Sequence, residues 1–108
     1  MPFIDLKTNV KIADKEAMKA KLGEVITIIP GKTEARTMVR LQDGCDLWFA
    51  GSAEPCAIVD TLVNAGTDYS TAEDYCQAVI DALHTALGLP EKRIYVTVDT
   101  KQVWVSRK

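Results

Sequence analysis

Pro2 stands directly behind Met1 and opens a short extended segment, Phe3-Ile4-Asp5-Leu6-Lys7. Removal of Met1 leaves a secondary amine at the head of that segment. An amine held there by the fold is a nucleophile or a base. Proline at the first residue of a strand also has an ordinary explanation, because that position can do without a backbone N–H. A second candidate is Lys32, within Pro30-Gly31-Lys32-Thr33. A lysine just past a helix end is usually a dipole contact. Its chemical alternative is a point charge for an anionic substrate, reached past the bare backbone of Gly31. Gly31-Lys32-Thr33 is not the end of a phosphate-binding loop: the earlier glycine would fall at Ile26, and the segment follows a helix instead of leading into one.

The elements that position these residues follow from the apolar periodicity. Residues 3–8 read as a strand. Asp14 is a plausible N-cap, and Met18, Leu22, Val25, Ile26 and Ile29 then recur at helical spacing until Pro30-Gly31. Thr37–Leu41 reads as a second strand, turned at Asp43-Gly44 into a third, Leu47–Phe49, with a fourth over Ala57–Val63. Ser70-Thr71-Ala72-Glu73 matches a capping box for a second helix, whose stripe is Cys76, Val79, Ile80, Leu83 and Leu87 before Gly88. Ile94–Val98 and a short Val103-Trp104-Val105 complete the strands.

The two halves repeat one plan: a strand, a loop, a helix, a Pro/Gly stop, and a basic stretch into another strand. The expected fold is α+β, a duplicated β-α-β unit forming a four-stranded mixed sheet. Both helices lie on one face, with short extra strands added. Ala57-Ile58-Val59 and Ile94-Tyr95-Val96 put apolar residues on both faces of that sheet. A single domain of 108 residues has no second layer to cover the helix-free face, so self-association is expected.

Composition narrows the function classes. A net charge of −2 and interspersed acidic residues around Lys11, Lys15, Lys19 and Lys21 argue against a nucleic-acid partner. No apolar run approaches the roughly 18–20 residues that cross a membrane, and Asp5 and Lys7 break the apolar start of any leader. The expected location is cytoplasmic, or outside the cell after export without a signal peptide. Cys45, Cys56 and Cys76 lack metal-ligand spacing and His84 is the lone histidine, so they read as reduced thiols with no metal and no cofactor.

Pro2, Thr8-Asn9-Val10, Gly31-Lys32, Phe49, Gly51-Ser52-Ala53-Glu54-Pro55-Cys56-Ala57 and Arg93-Ile94-Tyr95-Val96 occur in order. This pattern resembles the macrophage migration inhibitory factor family of the tautomerase superfamily. The resemblance implies a homotrimer with active sites between subunits and a small keto-acid substrate. It implies Pro2 as catalytic base and Lys32 as the group binding the substrate's acidic end, with Tyr95 and position 97 supplied by the adjacent subunit. The reaction it implies is keto–enol tautomerisation of phenylpyruvate-type acids or dopachrome-like compounds.

Elementary chemistry runs the same way. An α-amino group titrates at about 7.7–8.0, and burial beside a lysine disfavours its protonated form. A base poised near neutrality can take a carbon-bound proton beside a ketone and return it elsewhere. Three positions depart from the family pattern. Thr97 is a shorter donor than the asparagine of the mammalian protein. Asn64 stands where an apolar residue lines the pocket, unless it faces solvent at its strand end. Arg36 replaces an aromatic residue; it either grips a carboxylate or lies exposed at a strand edge. The tail after Val98 is short, with Val103 and Trp104 placed at the entrance or at a subunit contact. The absent Cys-x-x-Cys removes any thiol-reductase role. An alternative function is a cytokine-like binding protein engaging a host receptor, with vestigial or no tautomerase activity.

Overall fold

The computed structural model describes residues 1–107. Two strands with one apolar face each set its centre. In Phe3–Thr8 (β1), Ile4, Leu6 and Thr8 are buried on one face, and in Ala57–Val63 (β3) the residues Ala57, Val59, Thr61 and Val63 share it. These two strands run antiparallel, with Phe3 opposite Leu62 and Lys7 opposite Ile58. Met38–Gln42 (β2) adds parallel to β1, and Ile94–Thr100 (β4) adds parallel to β3, giving the order β2-β1-β3-β4. The four-stranded mixed sheet of the duplicated β-α-β plan is therefore present.

The helices Lys15–Val25 (α1) and Tyr69–Leu87 (α2) cover the face carrying Ile4, Leu6, Val59 and Val63. Met18, Leu22, Val25, Ile26 and Ile29 are all buried, as their spacing predicts. Each such side chain contributes roughly 1.5–3 kcal/mol on leaving water. The α-helix gives way to a single 3-10 turn over Ile26–Ile28 before Pro30. On α2, Val79 and Leu83 are buried, while Cys76, Ile80 and Leu87 pack at the rim of the core. Tyr75, outside the expected stripe, is fully buried, with its hydroxyl 2.7 Å from that of Thr61.

Three local expectations are corrected. The N-cap of α2 is Asp68, whose carboxylate accepts from Thr71 N at 2.7 Å, so Ser70 lies inside the first turn and no capping box forms there. Leu47–Phe49 is not a strand within the chain. Asp43 is taken up by Ile12 N and Gly44 N donates to Val10 O, so the expected hairpin turn is pinned to the approach of α1, and Phe49 makes one bridge to Ser52. Val103–Val105 has no partner strand among the described residues, and both valines are exposed.

The helix-free face is mixed rather than uniformly apolar. Register places Met38, Phe3 and Leu62 in one row and Lys7, Ile58 and Tyr95 in another. Between them lies a polar row, Arg40-Asp5-Asp60-Thr97. Asp5 accepts from Arg40 through both carboxylate oxygens, at 3.0 and 2.6 Å, and from Lys7 at 2.9 Å. The Arg40 bond holds its carboxyl below the ordinary value, against the opposing effect of burial and with help from Lys7.

Candidate functional site

The head of β1 gathers the chemistry. Pro2 is buried there, and its carbonyl accepts from Met38 N at 3.0 Å. Lacking an N–H, it leaves no buried donor unpaired. Three further residues arrive at the same end from three different segments. Lys32 follows the turn after α1, where Gly31 takes φ +81° and Lys32 N donates to Ile29 O at 3.1 Å. Arg36 ends a 3-10 turn, Glu34–Arg36, that leads into β2 two residues before Met38. Asn64 comes directly after β3.

Asn64 ties this corner together. Its Oδ1 accepts from Lys32 Nζ at 3.0 Å and from the N-terminal nitrogen at 3.1 Å. Asn64 thus faces the site and not open solvent. The Met1 amine is held below its ordinary value, first by burial, then by the Lys32 and Arg36 charges and by contact with the Lys32 ammonium. Cations beside an amine disfavour its protonation, so the local field favours the free base. Neither Lys32 nor Arg36 forms an ion pair with a carboxylate among the described residues.

Tyr95 and Thr97 lie elsewhere in the same chain. Tyr95 sits in the Lys7–Ile58 row, four ladder positions from the Phe3–Leu62 row, a separation of roughly 13 Å along the strand. Tyr95 is 60% exposed, and its ring lies tilted against Phe49 with the centroids 5.1 Å apart. The Thr97 hydroxyl donates to Asp60 at 2.8 Å on the helix-free face. A single chain therefore brings Pro2, Lys32, Asn64 and Arg36 together and leaves Tyr95 and Thr97 away from them.

This arrangement coincides with a family match over nearly the whole chain: the model for macrophage migration inhibitory factor (MIF) covers residues 1–106. The chain belongs to the macrophage migration inhibitory factor family. It is similar to D-dopachrome decarboxylase of Gallus gallus, 32% identical over 108 residues, covering 96% of this chain and 90% of that protein. It is also similar to the macrophage migration inhibitory factor homolog of Trichinella spiralis, 27% identical over 97 residues, covering 89% and 85%. The fold superposes on Leishmania major MIF2 with a TM-score of 0.84 at 25% identity, covering 94% of this chain and 90% of that one. The homologue from Prochlorococcus marinus gives 0.81 at 26% identity, covering 97% and 95%. The match places the chain in the tautomerase superfamily.

Two of the sequence blocks shared with this family prove to be partners in space. Asn9 Nδ2 lies within hydrogen-bonding distance of the carbonyls of Leu47, Ala53 and Glu54, and Asn9 Oδ1 accepts from Cys56 N at 3.0 Å. Thr8 donates its hydroxyl to Cys56 O at 2.8 Å. Arg93 reaches the same loop from β4's entry, donating to the carbonyls of Phe49, Ser52, Glu54 and Pro55. Its guanidinium also lies 5.2 Å from the centre of the Phe49 ring, which packs at a tilt against Tyr95. The sequence singled out Arg93 only as part of a motif; its four-carbonyl role depends on a loop with no regular structure to announce it. Ala50 and Gly51, both at positive φ, form the tight turn that aims those carbonyls inward.

The short tail also reaches the N-terminal corner. Lys101 N donates to Val63 O at 2.8 Å, turning the chain across the end of β3, and Ser106 Oγ comes within 3.4 Å of Met1 Sδ. Ser106 was not among the residues expected near Pro2.

Proposed function

We propose that the protein is a keto–enol tautomerase acting on small α-keto acids of the phenylpyruvate type, with Pro2 as the base once Met1 is removed. The observation that carries this reading is the shared hydrogen bonding of Lys32 and the Met1 nitrogen to one Asn64 oxygen, in a corner beside Pro2 where burial and two cations depress the Met1 amine. With Met1 gone, the amine moves one residue inward, to a position already buried. The Lys32 ammonium holds the substrate carboxylate, which sets the adjacent carbonyl and its α-carbon against the Pro2 nitrogen. Pro2 takes the proton from carbon, the C–H electrons become the enol double bond, and the carbonyl oxygen gains the negative charge. Lys32 stabilises that charge, and reprotonation at oxygen completes the step. The reverse sequence returns the ketone.

The chain acts as a homotrimer in this reading. Tyr95 and Thr97 are too distant from Pro2 of their own subunit, so they serve the site of a neighbour. Exposed Met38, Trp48, Val103 and Val105, with the unpartnered 47–49 and 103–105 segments, supply apolar surface for such contacts. Similarity to D-dopachrome decarboxylase extends the candidate substrates to dopachrome-like compounds.

The test is phenylpyruvate enol-to-keto conversion by three forms: the wild type, Pro2→Ala, and a form with an extra alanine between Met1 and Pro2. Both altered forms lose most activity. Equal rates in all three remove Pro2 from the mechanism.

A further inference from the structure

We infer that Arg93 is a positioning residue for Tyr95: by holding the 49–55 loop it fixes the ring that the neighbouring subunit's site receives. This deepens the tautomerase reading and rests on it. Arg93 is half-buried directly ahead of β4, and the ion pairs among the described residues do not include it. Its guanidinium is spread instead over four neutral oxygens. Nε donates to Pro55 O at 2.9 Å and Nη1 to Phe49 O at 3.2 Å, while Nη2 donates to Ser52 O at 3.1 Å and Glu54 O at 2.9 Å. Asn9 grips the same loop from β1's end, at the carbonyls of Leu47, Ala53 and Glu54, and its side chain does not bond the Phe49 carbonyl. Arg93 is therefore the side chain that ties Phe49 to the entry of β4.

Phe49 carries that hold to Tyr95. The guanidinium lies 5.2 Å from the centre of the Phe49 ring, and the Phe49 and Tyr95 rings meet at 5.1 Å with their planes 59° apart. β4 is an outer strand with only β3 beside it, so one flank of Tyr95 has no neighbouring strand to confine it. An exposed tyrosine in such a place moves among its rotamers. The tilted contact with Phe49 selects one of them. A ring–ring contact is individually weak, so Phe49 must itself be immobile to serve as the template. The four carbonyl bonds supply that immobility, and the planar fork of arginine is what spans them. A lysine keeps the charge but offers its donors from a single nitrogen, so it cannot reach the same set. Tyr95 works across a subunit boundary in this reading, where a small displacement of its ring lowers the rate.

The experiment uses mixed assemblies and phenylpyruvate enol-to-keto conversion. Pro2→Ala chains and Tyr95→Ala chains, unfolded together and refolded, have native sites only where Pro2 of the second kind meets Tyr95 of the first. Arg93→Lys added to the Pro2→Ala chain cuts the recovered kcat/KM about tenfold, the scale of a slightly misplaced contact group. Added to the Tyr95→Ala chain, which supplies no Tyr95, it leaves the recovered rate unchanged. In the uniform protein, Arg93→Lys combined with Tyr95→Ala is no slower than Tyr95→Ala alone, because the two act as one unit. Equal loss from both placements makes Arg93 a general prop of the fold and overturns the inference, as does no loss from either. Phe49→Leu keeps the four carbonyl bonds and removes the ring, and it shows the same dependence on which chain carries it. It decides the matter where native mass spectrometry finds that Arg93→Lys chains do not assemble: a loss from both placements, or from neither, overturns the inference. Mixing that recovers no activity before Arg93 is changed removes the shared-site reading and this inference with it.

Discussion

The side-chain oxygen of Asn64 lies 3.0 Å from Lys32 Nζ and 3.1 Å from the Met1 nitrogen, so one neutral amide joins the lysine to the start of the chain, one residue from Pro2. An apolar side chain there would leave the two positive groups to repel each other without a shared acceptor. A carboxylate there would hold the amine in its protonated form. The neutral amide joins them while leaving the field favourable to the free base.

Asn64→Leu and Asn64→Asp therefore separate orientation from charge. The leucine variant loses kcat/KM by about tenfold, the scale of one hydrogen bond to a charged group. The aspartate variant stabilises the ammonium form of the amine, so the acidic limb of its pH–rate profile moves to higher pH. Profiles of kcat/KM against pH for the three proteins check both outcomes.

Lys32→Ala removes the carboxylate's partner and also one of the cations that depress the amine. Phenylpyruvate kcat/KM falls about 10–100-fold, corresponding to a charged hydrogen bond of roughly 1.5–3 kcal/mol. The pH limb rises at the same time. Steady-state kinetics across pH distinguishes this from a simple loss of fold, which near-UV circular dichroism reports.

Acid stability is tied to Asp5. Its folded value is depressed, so its contribution is present above the unfolded value of about 3.9 and is lost as pH falls through the lower folded one. Arg40→Met lowers the melting temperature at pH 7, and the gap from wild type narrows once the solution is acidic enough to protonate Asp5 in both proteins. Thermal melts at a series of pH values give the curve.

Tyr75→Phe deletes the hydroxyl that meets Thr61 at 2.7 Å inside the core. Leaving Thr61 without that partner costs about 1–3 kcal/mol. Urea unfolding should show a lower midpoint with an unchanged slope, because the surface exposed on unfolding stays the same.

Subunit sharing is testable by mixing. Pro2→Ala and Tyr95→Ala chains, each weakly active alone, regain activity when unfolded together and refolded, because some mixed sites carry both native residues. Native mass spectrometry reports a three-subunit species. A monomer, or no gain on mixing, contradicts the shared site.

Much of this was legible in the sequence where one residue acts through its own element. The stripe Met18-Leu22-Val25-Ile26-Ile29 faces the core as its spacing requires, and Gly88 ends α2 in the left-handed conformation. The start of α2 was misplaced because Asp68 is as good an N-cap as Ser70 and lies two residues earlier. Apolar runs suggest strands at 47–49 and 103–105, but a strand needs a partner edge, and none is offered to them among the described residues. Pro2 and Lys32 were found from residue type and motif. The Asn64 bridge was not, since it joins segments 32 residues apart or more through atoms whose direction only the packed sheet fixes.

The central claim is that the Pro2 amine is a free base near neutral pH, and its own titration tests this most directly. Protein labelled with 15N-proline, its intact mass showing Met1 removed, is titrated while the Pro2 nitrogen shift is followed. A midpoint below the ordinary α-amino range of about 7.7–8.0 is predicted. A midpoint above that range, or a Pro2 nitrogen that never titrates because Met1 remains attached, contradicts the account.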